Sequence, residues 1–174
     1  METLQVNMVN DIISNSLGNS MSYAEYRALV SELTENNSTT GPEKTEALAN
    51  YSALNDRRMK RWDKTVKISE DTKTAIENSK TKTTWLVLTE SWCGDAAHIM
   101  PVINKVAELN DNINYKIVLR DENEALMNQF LTNGGKSIPK LIMIDDETNE
   151  VVNTFGPRPS VATQFVNNYK AEHG

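Results

Sequence analysis

Thr84-Trp85-Leu86-Val87-Leu88 is a run of apolar and strand-preferring residues, and Trp92-Cys93-Gly94-Asp95-Ala96 follows three residues later. The first stretch reads as a buried strand, the second as the turn that opens a helix over residues 93–110. Strand, turn and amphipathic helix in succession are the start of an α/β unit. Working outward, Tyr115-Lys116-Ile117-Val118-Leu119 predicts a second strand and Leu141-Ile142-Met143-Ile144 a third. Asp145-Asp146-Glu147-Thr148-Asn149 is a turn cluster leading to Val151-Val152-Asn153-Thr154-Phe155, so the last two strands should form a hairpin. Helices fit residues 122–131 and 160–170. The predicted order is β-α-β-α-β-β-α, an α/β fold with a mixed sheet.

Residues 1–80 differ in texture and predict a helical extension packed on a core of residues 81–174. Leu4, Met8, Val9, Ile12, Ile13 and Leu17 fall at helical spacing, with Gly18 as a stop. Ser22-Tyr23-Ala24-Glu25 fits a capping box, and Tyr26, Leu29, Val30 and Leu33 share one face of the helix behind it. Pro42 is placed in the first turn of a third helix carrying Leu48, Tyr51, Leu54 and Met59 and ending near Trp62. A weaker helix starts at Ser69. These stripes are expected to face the core.

Composition narrows the function. The chain has 174 residues, 39% hydrophobic and 24% charged, a globular mixture. Its net charge of −6 argues against nucleic acid and anionic membrane as partners. The one basic cluster, Arg57-Arg58-Met59-Lys60-Arg61-Trp62, reads as a solvated or internally paired helix face. A single cysteine allows no intramolecular disulfide and no multi-cysteine zinc site, and two histidines leave little for a metal cluster. No metal and no cofactor is expected. No stretch is apolar enough to span a bilayer. The N-terminal Met1-Glu2-Thr3-Leu4-Gln5 shows no secretory pattern, so a reducing, cytoplasmic location is expected. His98 reads as packing or surface.

Cys93 is the residue with chemistry to offer. A thiol at a helix N-terminus faces unpaired N–H groups and the positive end of the dipole, both of which favour the nucleophilic thiolate. The other reading is a small apolar cysteine buried in a strand-to-helix turn. On this window alone both stand.

Three further features bear on the choice. Pro101 lies eight residues past the cysteine, Gly135-Lys136-Ser137-Ile138-Pro139 precedes the third strand, and Gly156 follows the fourth. With Trp-Cys-Gly, their order and spacing resemble the thioredoxin family over residues 83–171, about half of the chain. The helical first half resembles the extension of a bacterial thioredoxin-like subfamily. The resemblance implies a βαβ unit joined to a ββα unit, a cis Ile138–Pro139 bond facing Cys93, and backbone groups in that loop that bind an extended peptide. Trp92, Gly94, Asp95, Ser137, Ile138, Pro139 and Gly156 would wall the groove.

The departures from the family are as telling. In its Cys-x-x-Cys motif the first thiolate attacks and the second cysteine releases the mixed disulfide. Ala96 stands at the second position. The family's buried acid, six residues before the cysteine, is Val87, and the proline usual inside the motif is Asp95, whose charge opposes thiolate formation. Arg120 and Arg158 would lie on the active-site edge as contacts for an anionic thiol such as glutathione or bacillithiol, or as ordinary surface arginines. Two functions follow. One is a monothiol thiol-disulfide exchange protein, in which Cys93 attacks a disulfide and an external thiol resolves the intermediate, its partners being a disulfide-bearing protein or a low-molecular-weight thiol. The other is a redox-inactive adaptor that binds a peptide or protein in the groove. The oligomeric state stays open.

Overall fold

The computed structural model describes residues 2–173, with side chains from residue 7 onward. Met1 and Gly174 lie outside the described residues, and so does the side chain of Leu4 in the first predicted stripe. Seven helices and four strands follow in the order α1 (Glu2–Gly18), α2 (Tyr23–Glu35), α3 (Glu46–Thr65), α4 (Glu70–Glu77), β1 (Thr83–Thr89), α5 (Gly94–Ala107), β2 (Ile113–Leu119), α6 (Glu124–Gln129), β3 (Lys140–Asp145), β4 (Val151–Phe155) and α7 (Ser160–His173). The sheet runs β2-β1-β3-β4. β1 is parallel to β2 and antiparallel to β3, and β3 pairs with β4 in an antiparallel hairpin with an irregularity between Met143 and Ile144. This is the mixed α/β sheet expected of a thioredoxin-like fold.

Leu86, Val87 and Leu88 are consecutive in β1 and all fully buried. Successive strand residues point to opposite faces, so the sheet is covered on both. Part of the cover comes from the first 80 residues: Ile13, Tyr26, Val30 and Met59 belong to the same buried cluster as the sheet. α3 lies against α5 and α2 against α3, while α1 meets α6.

Local signals explain most boundaries. Ser22 caps α2 in a full capping box with Glu25, and Ser69 caps α4. At the hairpin, Asp145 accepts hydrogen bonds from the N–H groups of Glu147 and Thr148, at 2.9 and 3.0 Å, and Asn149 takes a left-handed φ of 58°. Four expectations need correction. Pro42 does not start α3: Thr45 does, its hydroxyl accepting from the Leu48 N–H at 3.3 Å. α3 continues past Trp62 to Thr65. The helix expected over residues 122–131 shrinks to Glu124–Gln129, because Arg120–Glu122 form a separate 3-10 turn and the chain leaves helix at Phe130. Met8 and Tyr51 lie in the predicted stripes yet are exposed, since each stripe is wider than the surface its helix meets.

Candidate functional site

β1 ends at Thr89, and Glu90-Ser91-Trp92 turn the chain into α5. Cys93 is the N-cap of that helix, where its sulfur accepts a hydrogen bond from the Ala96 N–H at 3.5 Å. The thiol in turn donates to the Ile138 carbonyl at 3.3 Å. Only 8% of the residue is exposed. Burial pushes the thiol pKa up to about 11, and the Asp95 carboxylate adds to the rise. The Ala96 and Asp95 N–H groups and Arg120 pull the other way without overcoming it. The helix N-terminus thus acts on the sulfur as its position in the sequence suggests, but desolvation is the larger effect.

The Ile138–Pro139 peptide is cis, as is Gly156–Pro157. Gly156 holds φ +126°, and a Cβ there would stand 2.1 Å from the Pro139 carbonyl oxygen. The backbone after β4 therefore presses directly on the loop that faces Cys93, a contact only glycine permits. Ser137, half-buried, leads into this loop. Asp95 accepts from Arg158 Nε at 2.7 Å, so that arginine is engaged beside the helix start. Arg120 stacks its guanidinium over Trp92, 5.0 Å from the ring centre, and bonds Asp121 at 2.7 Å. Gly94 faces Arg58, whose Nη1 lies 3.5 Å from the point a Cβ would take. Val87, where the family has its acid, is fully buried in β1.

An apolar hollow of about 520 Å³ lies along α5 beside the Asp95–Arg158 pair, walled by Ile99, Val102, Phe155 and Val166 among others. His98 is exposed at its rim, its Nδ1 accepting from the Trp62 indole N–H at 2.9 Å. Within the basic cluster, Lys60 pairs with Asp56 at 2.7 Å and Arg58 donates to Asn55 at 3.1 Å.

Sequence reasoning missed the buried polar cluster just before the cysteine. Ser91 Oγ lies 2.7 Å from Ser52 Oγ and 3.1 Å from Thr39 Oγ1, and it accepts from the Thr40 N–H at 3.0 Å. Asn55 donates to the Ser91 carbonyl at 2.9 Å, and the Ser91 N–H donates to Thr40 Oγ1 at 2.8 Å. These bonds tie the loop before α3, and α3 itself, to the turn that carries Trp92 and Cys93. It also missed Glu90, a carboxyl with no exposure. The only available signal was a run of polar residues between a buried strand and a helix. Among the described residues no three His, Cys, Asp or Glu side chains gather to hold a metal, and no helix is long and apolar enough to cross a membrane.

A family profile described as Thioredoxin matches residues 41–170. The match begins in the loop before α3, well upstream of the strand-and-cysteine segment. No match is found among curated proteins. Two solved structures resemble the fold. A Pseudomonas aeruginosa protein of unknown function is 19% identical with a TM-score of 0.57, over 71% of this chain and 80% of that one. An HIV epitope-scaffold is 19% identical with a TM-score of 0.57, over 82% and 81%. At that identity the likeness concerns the fold alone.

Proposed function

The chain belongs to the thioredoxin family, and from that premise we propose that it works as a redox-inactive binding module whose groove receives an extended segment of a partner protein. The observation that carries this reading is the state of Cys93. Its sulfur is buried, hydrogen-bonded to the Ile138 carbonyl, and has its pKa pushed up to about 11. At neutral pH only about one molecule in ten thousand would then be thiolate, against a few per cent for an ordinary cysteine. Ala96 in place of a resolving cysteine and Val87 in place of the buried acid point the same way. In this reading Trp92, Gly94, Ser137, Ile138, Pro139 and Gly156 would wall the groove, while Cys93 serves as packing and as a helix cap that accepts from the Ala96 N–H.

One observation favours the alternative of monothiol exchange. The Ala96 N–H already points at the sulfur, so a thiolate would have a donor waiting for it. The rate of Cys93 alkylation against pH separates the two readings. A binding module gives slow modification with no plateau below about pH 10, and no adduct in the intact mass after exposure to oxidised glutathione under native conditions. A midpoint below about pH 8 with ready adduct formation would replace the binding reading by the exchange one. In the binding reading Cys93→Ser also leaves partner-peptide affinity intact.

A further inference from the structure

α7 carries no buried residue, although two adjoining lines of apolar side chains run along it. Val161, Phe165 and Tyr169 lie one turn apart on the first line and are 77%, 72% and 59% exposed. Ala162 and Val166 form the second line. With Ile99 and Val102 of α5 and with Phe155 they wall the apolar hollow of about 520 Å³. An isolated helix of about 12–15 residues is marginal in water, so a helix of this length depends on packing its apolar face. Here one of the two lines is left in solvent. The same region is short of charge. From Val151 to Tyr169 the one charged residue is Arg158, in a chain that is 24% charged. Arg158 is bonded to Asp95 at 2.7 Å, so the pair at the end of the hollow is neutral. Uncharged surface with protruding aromatic rings is the composition of an interface core rather than of a solvated helix.

A knob and a hole thus sit side by side on one face: Phe165, and the hollow next to it. A cavity of about 150 Å³ already holds a benzene ring, so the hollow has room for a phenyl group. We propose that this face binds a second copy of the chain across a two-fold axis, with Phe165 of each copy inserted into the hollow of the other against Ile99, Val102 and Val166. Two observations select a second copy. Knob and hole occur together on the same face, and a two-fold axis presents that face to itself, so both contacts form in one closed pair. Each copy carries a net charge of −6, which opposes approach in general, whereas this face meets its own image with no unpaired charge between Val151 and Tyr169. The area also suffices. Val102 is 37% exposed, and with Val161, Phe165 and Tyr169 it leaves about 400 Å² of mainly apolar surface uncovered on one copy, taking about 150–250 Å² for a whole aromatic side chain. Two copies supply about 800 Å², the apolar core of a standard interface of about 1,600 Å² that is a little over half non-polar. Neither Cys93 nor the Ser137–Pro139 loop lines the hollow, so this inference and the groove reading stand or fall separately.

Sedimentation velocity of the full chain from about 1 to 200 µM should show a shift from one chain mass to twice that mass. Phe165→Asp puts a charge on the knob, and Val102→Lys puts one in the hole. Each alone should weaken the pairing at least about thirtyfold, because both contacts of its own dimer are lost. Mixing the two variants should restore a dimer: one contact is then native, and at the other the two introduced charges are of opposite sign. Circular dichroism should show both variants folded, since the two sites are exposed. A chain that stays monomeric at about 200 µM overturns the assignment and leaves the face to a different protein. A dimer that neither variant weakens lies on another face and overturns it as well. Variants that stay monomeric when mixed overturn the pairing of Phe165 with the hollow. If Val102→Lys unfolds the chain, the mass of the unaltered chain and of Phe165→Asp still decides.

Discussion

Removing the Ser91 hydroxyl should loosen the join between the first third of the chain and the cysteine-bearing turn, and the size of the loss can be worked from its contacts. In Ser91→Ala the Thr40 N–H loses its acceptor at 3.0 Å while the residue stays 4% exposed. An orphaned buried donor costs about 1–3 kcal/mol, and the lost contacts to the Ser52 and Thr39 hydroxyls add about 0.5–1.5 kcal/mol. Thr39 and Ser52 keep each other at 2.9 Å, and the bonds through the Ser91 backbone to Asn55 and Thr40 survive. The expected loss is therefore about 2–4 kcal/mol. Ser52→Ala removes a hydroxyl without orphaning a backbone group and should cost only about 1 kcal/mol. Equilibrium unfolding in urea, followed by circular dichroism, reads both as shifts in midpoint at constant slope. Hydrogen exchange at the Thr40 amide should accelerate in Ser91→Ala alone. A loss for Ser91→Ala no larger than that for Ser52→Ala would refute the claim that this cluster holds the two segments together.

Other substitutions probe the neighbouring features. Burial raises the pKa of Glu90 above the usual carboxylate value, with the Asp121 charge adding to it. The folded state therefore holds the proton more tightly than the unfolded one, and the stability this confers is present at acid pH and lost as pH rises through the folded pKa. Glu90→Gln should accordingly match or exceed the parent at pH 8, and the unfolding midpoint of the parent minus that of the variant should fall between pH 4 and pH 8; a difference that rises over that window would contradict the sign. Gly156→Ala drives a methyl into the Pro139 carbonyl and should cost about 3 kcal/mol or more in urea unfolding. Ala96→Cys places a second sulfur one turn along from Cys93, on the buried face where the Ala96 N–H already lies 3.5 Å from Sγ. Oxidation should then close an internal disulfide, seen as the loss of two free thiols, and failure to close would mean the turn cannot bring the two sulfurs together.

What the sequence disclosed, and what it hid, follows the range of the forces involved. β1 to β4 could be read because each is a short apolar run that must be buried, and the hairpin because Asp145 and Asn149 carry their turn chemistry in their own side chains. Ser22 and Ser69 were equally local. Pro42 misled because a proline fits the first turn of a helix without requiring it, whereas the Thr45 hydroxyl makes an actual cap. The spacing of Ile138, Pro139 and Gly156 pointed to the contacts that the structure shows, the Ile138 carbonyl on Cys93 and Gly156 against Pro139. The thiol state of Cys93 was not legible: the favourable N–H groups lie within three residues, but the burial that outweighs them is assembled from distant parts of the fold. The Thr39–Ser52–Ser91 cluster joins residues up to 52 apart, and no pattern in a run of serines and threonines reports such a join. Arg120 and Arg158 likewise stand out as free cations in the sequence and turn out to be engaged with Asp121 and Asp95.

The turn between α1 and α2 has a bearing on how this protein behaves in a test tube. β2 is an edge strand by position, yet its outer side is occupied where Met21 and Ile117 exchange backbone hydrogen bonds of 2.9 and 2.8 Å. A bare strand edge is a template for pairing with another chain. Cutting the chain near residue 80 would strip that clasp and, with it, Ile13, Tyr26, Val30 and Met59 from the core they share with the sheet. The fragment would present an open edge next to an uncovered apolar face, the combination that seeds aggregates. Overexpressed alone, the C-terminal half should collect in inclusion bodies.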